Sequence, residues 1–102
     1  MLSKLNRLPA HAGEILKEEF LVPLGITQSH LAKALHTSFR AINELVNEKR
    51  GITTEMALRL AKYFDTSPQL WLNLQNQYDL YRISQKKKTE LDMVETGHFD
   101  VA

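Results

Sequence analysis

Apolar residues recur at spacings of three and four along most of this chain, and residues that start or stop helices separate the runs. Ile15, Leu16 and Phe20 share one face of a segment at about His11–Phe20, closed by Pro23 and Gly25. Leu31, Ala32 and Leu35 share a face of a second segment. It opens at Thr27, whose side-chain oxygen can accept from an orphan backbone N–H, and runs to about Leu35. A short connection, His36–Thr37–Ser38, leads to a third segment from Phe39 to about Asn47, with Ser38 as its cap and Ile42, Leu45 and Val46 as its apolar side. Gly51 and Ile52 read as a loop. Thr53 caps a fourth segment, Thr54–Phe64, which turns Met56, Ala57, Leu60, Ala61 and Phe64 to one side. Ser67 and Pro68 are the cap and first-turn proline of a fifth, extending to about Ile83 with Leu70, Trp71, Leu74, Tyr78 and Tyr81 at helical spacing. Strand-like alternation is nearly absent before residue 90. Lys86–Lys88 reads as the end of order or as a solvated last turn; beyond it Leu91, Met93 and Val94 suit a short helix or an edge strand, broken by Gly97. The pattern predicts an all-α domain of five helices with a weakly ordered C-terminal tail. It divides into an arm at 1–10, a folded body at 11–85 and a tail at 86–102.

The second and third segments carry the chemistry. A joint of three residues is too short for two helices to lie side by side, so they must cross steeply, as in a helix-turn-helix spanning about Thr27–Lys49. Ala32 leaves room for a close crossing, and Leu31, Leu35, Ile42 and Leu45 fill the angle. The third helix then points Arg40, Asn43, Glu44 and Asn47 outward, with Phe39 at its start. Arg pairs with guanine and Asn with adenine in a major groove, so this face can read bases in double-stranded DNA. An ordinary αα-corner has the same apolar pattern, but two features favour DNA. Gln28 stands in the first turn of the second helix, where a phosphate can meet it, and Lys49–Arg50 follow the third helix at a second phosphate position. Ser38 is expected to contact phosphate, although capping competes for the same hydroxyl. Glu44 either accepts from a cytosine amino group or pairs with Arg40 one turn away.

Composition narrows the alternatives. The chain has 102 residues, 43% of them hydrophobic, enough for one modest core. It has no cysteine, which excludes disulfides and thiolate metal sites and suits a reducing cytoplasm. No run of apolar residues is long enough to span a membrane, and the N-terminal residues lack the apolar stretch of a signal peptide. The net charge is only +1, but residues 27–62 hold Lys33, Arg40, Lys49, Arg50, Arg59 and Lys62 against Glu44, Glu48 and Glu55. A dimer doubles that positive middle and can present it to a polyanion. No enzyme is expected: no nucleophile and base are paired, and Glu14, Glu18 and Glu19 read as solvent-facing. His11, His30, His36 and His98 lack ligand spacing, so no metal or other cofactor is expected. Trp71 reads as core rather than as a ligand platform.

Four motifs in order give a more specific reading: Pro9–Phe20 (PAHAGEILKEEF), Pro23–Gln28 (PLGITQ), Asn47–Ala61 (NEKRGITTEMALRLA) and Thr66–Leu80 (TSPQLWLNLQNQYDL). They resemble the HigA family of addiction-module antitoxins, also called VapI-like, with a Cro/repressor-type (XRE) helix-turn-helix, over about residues 9–83. The resemblance implies a five-helix repressor fold, autoregulation of its own operon and neutralisation of a ribonuclease-like toxin. Three positions depart from the family pattern. His36 and Glu48 stand where glycine is usual, and the second change predicts a third helix one residue longer. Phe39 replaces a commoner polar residue and is expected on a thymine methyl group or beside the sugar-phosphate backbone. The DNA-contacting set expected is therefore Gln28, Ser38, Phe39, Arg40, Asn43, Glu44, Asn47, Lys49 and Arg50, acting in a homodimer on an inverted repeat. The dimer contact is expected on the C-terminal third, through Leu72, Leu80 and Ile83, and the toxin contact on the acidic tail or on the arm carrying Leu2, Leu5 and Leu8. The alternatives are a stand-alone regulator without a toxin, or a helix-turn-helix kept only for docking proteins.

Overall fold

The computed structural model describes residues 8–100; Leu2 and Leu5 of the expected arm lie outside the described residues. Six helical elements follow one another, and among the described residues there is no strand. Helix α1 is α-helical over Ala12–Ile15, π-helical over Leu16–Leu21 and α-helical again over Val22–Leu24. It is followed by α2 (Gln28–Ala34), α3 (Phe39–Val46), α4 (Thr54–Phe64), α5 (Pro68–Lys86) and α6 (Lys88–Asp92). Among the described residues no helix is long and apolar enough to cross a membrane.

The four hydroxyl caps form as their positions demand. Thr27, Ser38, Thr53 and Ser67 accept from the backbone N–H three residues ahead, at 3.0, 3.0, 3.1 and 3.2 Å. Helix ends depart further from the expectation. The first helix does not stop near Phe20 but passes through Pro23 to Leu24. A proline ring crowds the carbonyl four residues back and offers no N–H. The wider π turn, in which the Val22 N–H reaches Lys17 rather than Glu18, takes the preceding carbonyls out of that register. Gly25, at φ 66°, then closes the helix while the Ile26 N–H returns to the Leu21 carbonyl at 2.9 Å. The fifth helix likewise outruns its predicted end and reaches Lys86. The lysine run only breaks the helix at Lys87, and the short, exposed α6 follows it.

The core contains Leu16, Leu21, Leu31, Ala32, Leu35, Ile42, Leu45, Val46, Ala57, Leu60, Ala61 and Trp71. Trp71 is fully buried, as expected of a core residue, and its indole N–H donates to Thr66 Oγ1 at 2.9 Å. Phe20 and Phe64 tilt against it with ring centroids 5.0 and 6.0 Å away. On α5 the buried line differs from the predicted one. Leu70 is exposed, Leu72 is half-buried against the core, and a polar residue, Gln75, is buried one turn beyond Trp71.

The start of α1 is where α1, α3 and α5 meet. A Cβ at Gly13 would stand 1.8 Å from the Leu45 carbonyl oxygen, so α1 sits directly on the α3 backbone. His11, buried beside it, caps α1: its Nδ1 accepts from the Gly13 N–H at 2.9 Å, and its ring meets the edge of Tyr78 on α5 at 5.0 Å. Burial holds this imidazole below its ordinary pKa; Glu48 and Asp79 pull it back up, while Arg82 lowers it further. A doubly protonated ring also cannot accept the capping bond.

Between the lowered pKa and the ordinary value of about 6.5, the folded chain binds fewer protons than the unfolded one. The stability His11 contributes is therefore complete above that ordinary value and is lost as pH falls below it. Melting temperature should fall from pH 7.5 to 5.5. His11→Asn, which keeps a capping acceptor but does not titrate there, should flatten the dependence over that window; an equally steep fall in the variant would assign it to other groups.

Candidate nucleic-acid interface

The geometry of the motif rests on how its two helices end. After α2 the His36 N–H reaches Lys33 and the Thr37 N–H reaches Ala32, at 3.2 and 3.0 Å; after α3 the Glu48 N–H reaches Leu45 and the Lys49 N–H reaches Glu44, at 3.0 and 2.8 Å. Both closures require a left-handed residue, and His36 and Glu48 supply it at φ 55° and 61°. Glu48 therefore ends α3 instead of lengthening it, contrary to the sequence expectation: the helix stops at Val46 with Asn47 as its C-cap. The closing hydrogen bonds fix the turn whichever side chain occupies it. Arg59 adds a lock the sequence reading missed. From α4 its guanidinium donates to the Leu35 and His36 carbonyls at 2.6 and 3.1 Å, and Glu55 orients it from one turn back. The Glu55–Arg59 spacing was visible, but its target 24 residues away was not.

Every expected contact residue is on the surface or at its edge. Phe39 is exposed at the first turn of α3, and the side chain of Arg40 is 83% exposed. Asn43 links the two helices: its Nδ2 donates to Gln28 Oε1 at 3.0 Å, and its Oδ1 accepts from Asn47 at 3.2 Å. Glu44 accepts from Arg40 Nε at 2.9 Å and from Arg50 Nε at 3.0 Å. These bonds, Arg40 first and Arg50 second, hold its carboxyl below the usual carboxylate range, and the same bond raises Arg40. Of the alternatives for Glu44, arginine pairing is what the structure shows. Six of the nine expected residues, Ser38, Phe39, Arg40, Asn43, Glu44 and Asn47, lie on α3 or at its caps. Gln28 lies at one side, and Lys49 and Arg50 lie on the exposed loop after its C-terminus. Ser38 Oγ accepts from the Ala41 N–H. A capping hydroxyl used as acceptor keeps its own proton to donate, so the two roles foreseen for Ser38 do not compete.

A left-handed non-glycine residue costs about 1–2 kcal/mol, which glycine avoids at the price of some chain entropy. His36→Gly should therefore stabilise the fold by about 1 kcal/mol, seen as a melting temperature raised by a few degrees. A lower melting temperature would mean that the imidazole itself holds the turn.

Comparison with known proteins agrees with this geometry. The Helix-turn-helix family model matches residues 16–71, from within α1 to Trp71 on α5. Virulence-associated protein I of Dichelobacter nodosus is 53% identical over 85 residues, covering 82% of this chain and 79% of that protein. Antitoxin HigA-1 of Vibrio cholerae is 34% identical over 93 residues, covering 91% of this chain and 88% of that protein. The structure of Pseudomonas aeruginosa antitoxin HigA with the higBA promoter superposes with a TM-score of 0.82 at 43% identity, covering 85% of this chain and 96% of that one. With the turn, the capped α3 and the aromatic core all in place, the chain belongs to the helix-turn-helix family and, within it, to the HigA-type (VapI-like) antitoxins.

Proposed function

We propose that this protein is a sequence-specific repressor that binds an inverted-repeat operator as a homodimer, autoregulates its operon and neutralises a ribonuclease-like toxin. The observation that carries the reading is the outward face of α3, where polar side chains are already held in place. Asn43 ties Gln28 to Asn47, and Glu44 holds Arg40 and Arg50 until DNA competes for them. A surface kept only for protein docking has no need of this density of oriented donors. In this reading Arg40, Asn43 and Asn47 meet base edges, with Glu44 orienting Arg40 and Gln28 at a phosphate. Phe39 packs on a thymine methyl group or a sugar, and Ser38, Lys49 and Arg50 hold phosphates. Two such helices in successive major grooves are about 34 Å apart. The deciding experiment is a gel shift on DNA upstream of its own reading frame. Selective retardation supports the reading, and equal binding to scrambled DNA, or none at low salt, favours a docking module. On the operator, Arg40→Ala should cost about 1–3 kcal/mol and relax one position. Lys49→Ala should weaken operator and random DNA alike and lower the salt slope by about 1.

The body at 11–85 is the DNA-binding unit in this proposal, and the C-terminal third holds the copies together. Leu80, Ile83, Leu91, Met93, Val94 and Phe99 are exposed there, with Leu80 at 71% and Phe99 at 81%. A self-complementary two-fold contact can bury such a stripe. The Leu72 expected at that contact is instead half-buried against the core. Glu90, Asp92, Glu95 and Asp100 of the tail suit a basic toxin. Leu80→Glu should shift sedimentation toward monomer, and removal of 89–102 should abolish toxin capture; a wild-type result in either case would move that contact elsewhere.

A further inference from the structure

We infer that Gln75, on α5, is a positioning residue for the DNA-backbone contact: it holds the loop that carries Lys49 and Arg50 through the Ile52 N–H. The inference rests on the DNA-binding reading above. Position 75 continues the buried line of α5 that starts at Trp71, and the helical spacing calls for an apolar side chain there. A glutamine stands in its place and is only 5% exposed. Burying an amide is unfavourable unless its hydrogen bonds are made, and here they are made in one direction. Asp79, one turn on, accepts from Gln75 Nε2 at 3.1 Å. That fixes which end of the amide faces the loop, and Oε1 accepts from the Ile52 N–H at 3.2 Å. The loop lies against the amide so closely that a Cβ at Gly51 would be 3.1 Å from its carbon and nitrogen.

This bond acts where the recognition helix gives way to the phosphate-facing residues. Upstream, the loop is held by the left-handed closure at Glu48 and the Lys49 N–H to the Glu44 carbonyl. Downstream it enters the Thr53 cap. Between the two, Lys49 and Arg50 are exposed, and Gln75 supplies an anchor from 23 residues away. The cleft beside it, about 480 Å³, is lined by Lys49, Arg50 and Arg82 together with Asp79. Without the anchor, Lys49 and Arg50 must be ordered at the moment of binding, and the phosphate contact weakens while the base-reading face of α3 is untouched.

The test compares three full-length variants: Gln75→Met, Gln75→Glu, and the swap Gln75→Glu with Asp79→Asn. The single glutamate places a carboxylate against Asp79. In the swap, the asparagine at 79 can complete the network whether the new carboxyl is charged or neutral. Operator affinity, the salt slope of binding and amide exchange at Ile52 are read below each variant's melting temperature. Gln75→Met and Gln75→Glu should bind operator about tenfold more weakly, with the salt slope lower by about 1 and Ile52 exchange faster. Their preference for operator over scrambled DNA should stay within twofold of wild type, and the swap should restore slope and protection. A merely structural Gln75 would lower the melting temperature and leave the slope of the folded protein unchanged, which would overturn the inference. So would a swap that matches the single glutamate, and that comparison decides the matter if Gln75→Met does not fold. A wild-type protein that fails to bind its operator would refute the DNA-binding reading instead.

Discussion

The contact between Gly13 and the Leu45 carbonyl is the constraint on which the arrangement depends. A backbone pressed against a backbone leaves no room for adjustment, because interiors are packed as densely as organic crystals. With α1 seated there, α3 cannot slide along its axis. Its buried side, Ala41, Ile42, Leu45 and Val46, then meets Leu31 and Leu35 of α2 in one register. The outward direction of Arg40, Asn43, Glu44 and Asn47 follows from that register, since side chains three and four apart share a helix face. His11, by capping α1 and touching Tyr78, extends the same junction to α5.

The surface built on this frame is held by a small number of directional bonds. Arg59 fixes the turn, Asn43 connects the two helices of the motif, and Glu44 restrains two arginines. Exposed ion pairs contribute little to stability, so the Arg40–Glu44–Arg50 cluster matters more for where the guanidiniums wait than for the fold. A carboxylate among them also opposes loose attachment to phosphate, leaving the net attraction to nucleic acid modest at a protein charge of +1. Recognition that depends on shape and on base edges is the result expected of such a surface.

Helix starts, the turn position and the core faces of α2, α3 and α4 were legible in the sequence because each depends on neighbours within one or two turns. A hydroxyl before an apolar run caps whatever the rest of the chain does. The four motifs fixed the family for the same reason: their spacing is a property of the chain itself. Where local rules met a tertiary demand, they misled. Glu48 suggested a longer α3, yet the helix had to end where the loop turns toward α5. Pro23 suggested an early stop, yet a π turn carried α1 onward to fill the core with Leu21.

The sequence by itself determined five helical segments, the hydroxyl caps of four of them, a steep joint at His36–Ser38 and a polar outer face on α3, all set by periodicity and by the short reach of capping side chains. Only the tertiary structure decided that Gln75 is inside and Leu70 outside, that Arg59 reaches two carbonyls of the turn, and that His11 is a buried cap rather than a surface histidine. Each of these is settled by a partner more than twenty residues away or by the depth at which two helices meet. Hydrogen bonds of that range leave no period in a sequence: a buried glutamine and an exposed one are written with the same letter, and only the packing around it tells them apart.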